Sequence, residues 1–77
     1  MSIQIKLFGP LVDVIGRSEI EIRDISDSDS LKKQMMDDFP DLKSHVFLIS
    51  VCRKIVLNNV SLKSGDEVAF LPPFAGG

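Results

Sequence analysis

Little in this sequence can do chemistry by itself. One cysteine and one histidine are all that 77 residues contain. A single cysteine forms neither an internal disulfide nor a thiolate cage for a metal, and a single histidine cannot supply a multi-histidine site. No metal site is expected. No window approaches about 18 consecutive apolar residues, so no membrane-spanning helix is expected. Met1-Ser2-Ile3-Gln4 lacks the basic stretch and apolar run of a signal peptide, and the expected location is the cytoplasm. Nine Lys and Arg stand against 11 Asp and Glu, for a net charge of −2, with no basic cluster. Phosphate neutralisation needs a basic face, so nucleic acid is not an expected partner. What remains is a chain with room for one core, whose 44% apolar content is enough to fold it.

The chain alternates short strands with one good helix. Ile3, Ile5 and Leu7 alternate with Gln4, Lys6 and Phe8, a period of two that predicts a half-buried strand over residues 2–8. Gly9-Pro10 breaks it. Pro10 can open a short helical turn through Leu11, Val12, Val14 and Ile15, and Gly16 can close it. Alternation returns over residues 19–25. Asp27 or Ser28 can then cap a helix, since either side chain accepts from a free N–H of the first turn. Asp29 suits the positive end of the helix dipole. Leu31, Met35 and Phe39 recur every four residues, with Met36 beside them, and predict a helix over about residues 28–39 that Pro40 stops. Met35 and Met36 fit core positions on it.

Residues 41–46 read as a connection and Phe47 to Cys52 as a strand. Arg53-Lys54 reads as a bend, Ile55 to Leu57 as another apolar run and Asn58-Asn59 as a turn. Lys63-Ser64-Gly65-Asp66 reads as a tighter turn with Gly65 at positive φ. Glu67 to Leu71 is the last strand. This order predicts an α+β fold of the β-grasp (ubiquitin-like) type, a mixed sheet of four to five strands with one main helix packed across it. The first and last strands are expected to pair in parallel at its centre. Residues 1–71 form the domain and residues 72–77 an extended tail.

That tail is the informative segment. Pro72 and Pro73 have no N–H to donate, so strand pairing should stop there, and two prolines favour a stiff, extended course. Phe74 is a large apolar side chain in a segment that can hardly belong to the core. Ala75, Gly76 and Gly77 carry almost no side chain. From Phe74 onward the chain spans at most roughly 13 Å. A Gly-Gly end can be frayed chain. It can also be a thin probe whose carboxylate enters a narrow channel in another protein, where only glycine allows so close an approach. A carboxylate there can attack the α-phosphate of ATP on a partner enzyme to give an acyl-adenylate, from which a sulfur nucleophile displaces AMP. The strand, the two prolines and the stranded aromatic before Gly76-Gly77 favour the second reading.

Gly65-Asp66-Glu67-Val68-Ala69-Phe70-Leu71-Pro72-Pro73-Phe74-Ala75-Gly76-Gly77 resembles the C-terminus of molybdopterin synthase small subunits, members of the ubiquitin-like sulfur carriers (the MoaD/ThiS group). Ile5-Lys6-Leu7-Phe8 followed by Leu11 to Gly16 is similar to that family's first strand and short helix. Leu62 and the turn to Val68 fit its Leu-x-x-Gly-Asp-Glu-Val stretch. The double proline is the most specific element, because the sister thiazole-pathway carriers usually lack it. The chain departs from the family at Val51-Cys52, where asparagine often follows the valine.

The resemblance implies a carrier that binds no cofactor of its own. An E1-like adenylating enzyme uses ATP and Mg to activate the Gly77 carboxylate, which becomes a thiocarboxylate. The tail, with Gly76 and Gly77 as its reactive end, then enters the large synthase subunit and donates sulfur to cyclic pyranopterin monophosphate. Two donations complete each dithiolene. The assembly it implies is a heterotetramer, with a central dimer of large subunits and one small subunit at each end. The chain has no active site of its own and acts as the sulfur-donating subunit. Alternatives are a carrier for thiazole synthesis or another thiolation, a ubiquitin-like modifier joined through Gly77 to lysine, and a plain binding module with an idle tail.

Phe8 falls on the strand face of Gln4 and Lys6, and Leu71 similarly falls opposite the Val68–Phe70 face. Each could cap an edge of the core. The family analogy instead favours an apolar docking patch of Phe8, Leu71 and Phe74 beside the tail, with Pro72, Pro73 and Ala75 also meeting the partner. Cys52 reads as a small apolar residue on a strand rather than a sulfur relay, since free cysteine is usually buried. His45 reads as an ordinary loop histidine.

Overall fold

Alternation at the N-terminus builds β1 (Ser2–Leu7), in which Ile3, Ile5 and Leu7 are buried and Gln4 and Lys6 exposed. The computed structural model describes residues 2–73. After β1 come α1 (Pro10–Ile15), β2 (Glu19–Arg23), α2 (Ser28–Asp38), a 3-10 helix (Pro40–Ser44), β3 (Leu48–Val51), β4 (Lys54–Val56) and β5 (Glu67–Leu71). The strands form one five-stranded sheet in the order β2-β1-β5-β3-β4. β1 and β5 are parallel, in register from Gln4 opposite Glu67 to Leu7 opposite Phe70, and every other pair is antiparallel. Parallel neighbours need a long crossover, and here it holds the other three strands, both α-helices and the 3-10 helix. The expected mixed sheet with one main helix across it is the arrangement found.

One sheet face carries the core. Ile3, Ile5, Leu7, Ile22, Val68 and Phe70 meet Leu11 from α1, Leu31 and Met35 from α2, Leu42 from the 3-10 helix and Leu62. Phe70 is fully buried and stacks on Phe47, with ring centroids 4.8 Å apart. Burying one such side chain contributes about 1.5–3 kcal/mol, most of it offset by the lost freedom of the chain.

The start of α2 is tied down from two directions. Asp27 caps it: Ser30 N–H donates to Oδ2 at 3.0 Å and the Ser30 hydroxyl to Oδ1 at 2.8 Å. Asn59 Oδ1 accepts from Asp29 N–H at 2.9 Å, and the Val60 carbonyl accepts from Ser28 N–H at 2.9 Å. The N–H groups of Ser28, Asp29 and Ser30, which have no acceptor within the helix, thus find partners elsewhere in the chain, and Leu31 N–H makes the first intrahelical bond, to the Asp27 carbonyl. The sequence marks Asn59 as a turn residue. It is in fact a second cap that clasps the segment before β5 onto the helix.

Several boundaries move. β2 ends at Arg23, because Asp24 takes positive φ of 61° and leaves the extended course. The expected connection at 41–46 starts as the 3-10 helix, with Pro40 at its opening and Leu42 buried as a third anchor beside α1 and α2. Phe47 falls just before β3. β4 runs from Lys54 to Val56, so Lys54 belongs to the strand and Leu57, 83% exposed, does not. The turn glycine is as expected, with Gly65 at φ 89°.

The two bonds from Ser30 hold the Asp27 carboxyl below its ordinary value of 3.8, with smaller help from Asn59 and Asp29 against a small opposing effect of burial. A depressed carboxyl stabilises the fold fully above its unfolded value and loses that contribution as pH falls through the folded one. The gap in urea midpoint between wild type and Asp27→Ala is therefore expected to hold from about pH 7 to about pH 5 and to narrow below about pH 4. A gap indifferent to pH would show that the carboxylate charge contributes nothing.

Candidate functional site

Because β1 and β5 run parallel, they finish at the same edge of the sheet. Leu7 and Phe70 are the last register partners and both point into the core. Their successors are Phe8, just past the end of β1, and Leu71, which faces away from the core opposite Leu48. Leu71 is half-buried and Phe8 is 45% exposed. Phe8 was expected inside the first strand. It lies one residue beyond β1, where its carbonyl accepts from Leu11 N–H at 3.2 Å and begins the turn into α1.

β3 enlarges this apolar area. Leu48 is the register partner of Leu71, and Ser50 stands opposite both Ala69 and Ile55. Leu48 is half-buried and Ile55 is 47% exposed. The outward side thus has two halves. Toward β2 it is polar, with Lys6 opposite Glu19 and Gln4 opposite Glu21; toward β3 and β4 it is apolar. Leu48 and Ile55 did not stand out in the sequence as part of this surface. Strand parity would have found them, but only once the pairing of β3 with β5 was known.

β5 stops at Leu71, as the two residues without an N–H require. Pro72 is half-buried and Pro73 exposed. Phe74, Ala75, Gly76 and Gly77 lie outside the described residues. Of the residues expected in a docking patch, Phe8 follows the end of β1 and Leu71 ends β5, immediately before Pro72. A separate hollow of about 180 Å³ lies between α2 and the β3–β4 hairpin, lined by Ser28, Lys32, Phe47 and Val56 among others. Of its polar lining, Ser28 is bonded to Asn59 and Val60, and the Lys32 ammonium lies 5.7 Å from the centre of the Phe47 ring. Among the described residues no group of three or more His, Cys, Asp and Glu could hold a metal ion. None of the helices described is long and apolar enough to cross a membrane.

Cys52 corrects the sequence reading. It is exposed, and it lies with Arg53 in the two-residue turn between β3 and β4 rather than on a strand. Both residues have positive φ, 50° and 70°, the backbone a tight hairpin with right-twisted strands demands. The apolar run before Cys52 hid that turn, because neither residue is one of the asparagines or glycines that usually mark it. Cys52 Sγ lies 3.7 Å from Asp66 Oδ1. Asparagine tolerates positive φ better than cysteine, so Cys52→Asn is expected to raise stability by about 0.5 kcal/mol in urea unfolding. A loss of about 1 kcal/mol or more would mean that the thiol is packed as a core residue.

A mixed sheet in this order, with one long helix across it and the last central strand leading into a proline pair, defines a β-grasp domain. The ThiS family pattern matches residues 5–77, and the chain belongs to that family. It is 33% identical over 67 residues to a molybdopterin synthase sulfur carrier subunit from Mycobacterium tuberculosis, an alignment covering 84% of this chain and 81% of the relative. Among solved structures it resembles subunit 1 in a complex of subunits 1 and 2 of molybdopterin-converting factor from Helicobacter pylori. That match has 29% identity and a TM-score of 0.75, with all of both chains covered. It shares the fold of a putative molybdopterin converting factor subunit 1 from Pyrococcus furiosus. There the identity is 22% and the TM-score 0.88, covering 95% of this chain and 98% of the other.

Proposed function

We propose that this protein is the sulfur-carrying small subunit of a molybdopterin synthase, with the Gly77 carboxylate as the group that carries the sulfur. One observation carries the reading: the buried central strand β5 leads without a loop into Pro72-Pro73, beside an exposed aromatic, Phe8, that the core does not need. The 33% identity to a relative of that name supports the same assignment.

The chemistry follows from the carboxylate. Bound to an E1-like adenylating enzyme, its oxygen attacks the α-phosphorus of ATP, and pyrophosphate leaves with Mg. A sulfur nucleophile then attacks the acyl carbon and AMP departs, leaving a thiocarboxylate on Gly77. In the large subunit that sulfur bonds to a carbon of cyclic pyranopterin monophosphate, and water then cleaves the acyl–sulfur bond, so that the sulfur stays on the pterin and Gly77 returns to a carboxylate. This chain contributes the acyl group and its aim, and the partners contribute the catalysis. It needs no cofactor of its own. The complex of two such subunits from Helicobacter pylori supports a large-subunit partner for this chain. Phe8 and Leu71 are the apolar contacts proposed for that partner, together with Pro72, Pro73, Phe74 and Ala75. Small side chains at Gly76 and Gly77 keep the channel passable.

Two outcomes test this. Deleting Gly76-Gly77 is expected to abolish conversion of cyclic pyranopterin monophosphate by the reconstituted synthase, while the urea midpoint stays where it was. Retained conversion, or recovery of the intact chain linked to lysine of another protein instead, would contradict it. Phe8→Ala is expected to weaken binding to the large subunit about tenfold in a titration, because a half-exposed aromatic gives more to an interface than to its own core. Unchanged affinity would remove Phe8 from the interface.

A further inference from the structure

Gly9 joins β1 to α1 with φ 59° and ψ −138°, a conformation that side chains other than glycine's strain to adopt. The same residue meets the root of the tail. A Cβ built on Gly9 would lie 3.2 Å from Pro72 Cγ, and 3.8 Å from both Cβ and Cδ of that ring. The Pro72 ring therefore rests on bare backbone. Equivalent Cβ atoms on Gly16 and Gly65, also at positive φ, meet nothing within 4 Å, so those glycines serve their own turns alone.

Both sides of this contact are anchored. Beneath the ring, Val12 N–H donates to the Gly9 carbonyl at 3.2 Å and Leu11 N–H to that of Phe8 at 3.2 Å, while Leu7 N–H donates to the Ser18 carbonyl at 2.9 Å. On the other side, Pro72 directly follows Leu71, which is held in register against Leu48. Proline's own φ is fixed by its ring, and Pro73 after it confines the ψ of Pro72 to extended values, so seating that ring also sets the direction of the next residue.

We infer that Gly9 is a positioning residue for the tail: its missing side chain lets Pro72 pack onto the β1–α1 turn, and that packing sets the direction in which the chain leaves β5. This role rests on the sulfur-carrier reading, because direction matters only when the residues beyond Pro73 must reach a partner's site. Misplacing a reacting group by about 1 Å can cost up to two orders of magnitude in rate.

The test is a double-variant cycle on the full chain. Gly9→Ala adds the offending Cβ; Pro72→Ala removes Cγ and Cδ and keeps the Cβ at its ordinary distance. Two quantities are read: the Cα–Hα residual dipolar coupling of Pro73 in a weakly aligned sample, and kcat/KM for ATP-dependent charging by an E1-like adenylating enzyme. Gly9→Ala is expected to change the Pro73 coupling while those of β1 and β5 stay put, and to lower kcat/KM about tenfold. In the Pro72→Ala background the same change is expected to cost about threefold or less. An unmoved Pro73 coupling, or an equal loss in both backgrounds, would overturn the role, since Gly9 would then serve only its own turn. Wild type supplies a check that misfolding cannot confound: a nuclear Overhauser contact between Gly9 Hα and the Pro72 ring, whose absence would overturn the proposal. A wild-type chain that shows the contact but cannot be charged would instead defeat the carrier reading, and the function given to Gly9 with it.

Discussion

The parallel pairing of β1 with β5 is the constraint on which the rest of the molecule depends. It brings residues from the two ends of the domain to one edge of the sheet: Leu7 stands opposite Phe70, and Phe8 and Leu71 are the residues that follow them. It also forces everything between them into a crossover, and α2 closes that crossover over the core face. With one face buried, the other is left for contact. The buried anchor of this arrangement is Phe70, fully enclosed and stacked on Phe47. A single residue later the chain turns outward at Leu71, and two residues later it can no longer pair. The transition from core to tail is thus completed within three positions, with no loop to blur the aim.

The crossover would be loose without its clasp. Asn59, Val60 and Leu62 attach to Asp29, Ser28 and Ser26 across the start of α2, so the long approach to β5 is tied to the helix rather than left to find its own path. The same bonds consume the positive end of α2, which would otherwise be open to an anion. Among the described residues no buried side-chain nitrogen or oxygen lacks a partner.

Much of this was legible in the residues. The alternation of Ile3, Ile5 and Leu7 marked β1, the four-residue recurrence of Leu31 and Met35 marked α2, and Pro72-Pro73 marked the end of β5. What stayed hidden depended on contacts between distant segments. Asn59 looks like any turn asparagine until Asp29 is found beside it. Leu48 and Ile55 join the apolar surface only through pairing with β5 and β3. Cys52 and Arg53 make a tight turn with residues that seldom choose it, so local preference pointed to a strand. Gly9 reads as a strand breaker, and its meeting with Pro72 spans nearly the whole sequence.

The most direct measurement is the intact mass of the protein after incubation with an E1-like adenylating enzyme, ATP, Mg and a sulfur source, with fragmentation to locate any change. A sulfur carrier gains the mass difference of one sulfur for one oxygen, confined to Gly77. An unchanged mass under conditions that charge an authentic carrier, or a gain located on Cys52, would contradict the assignment of Gly77 as the carrying group.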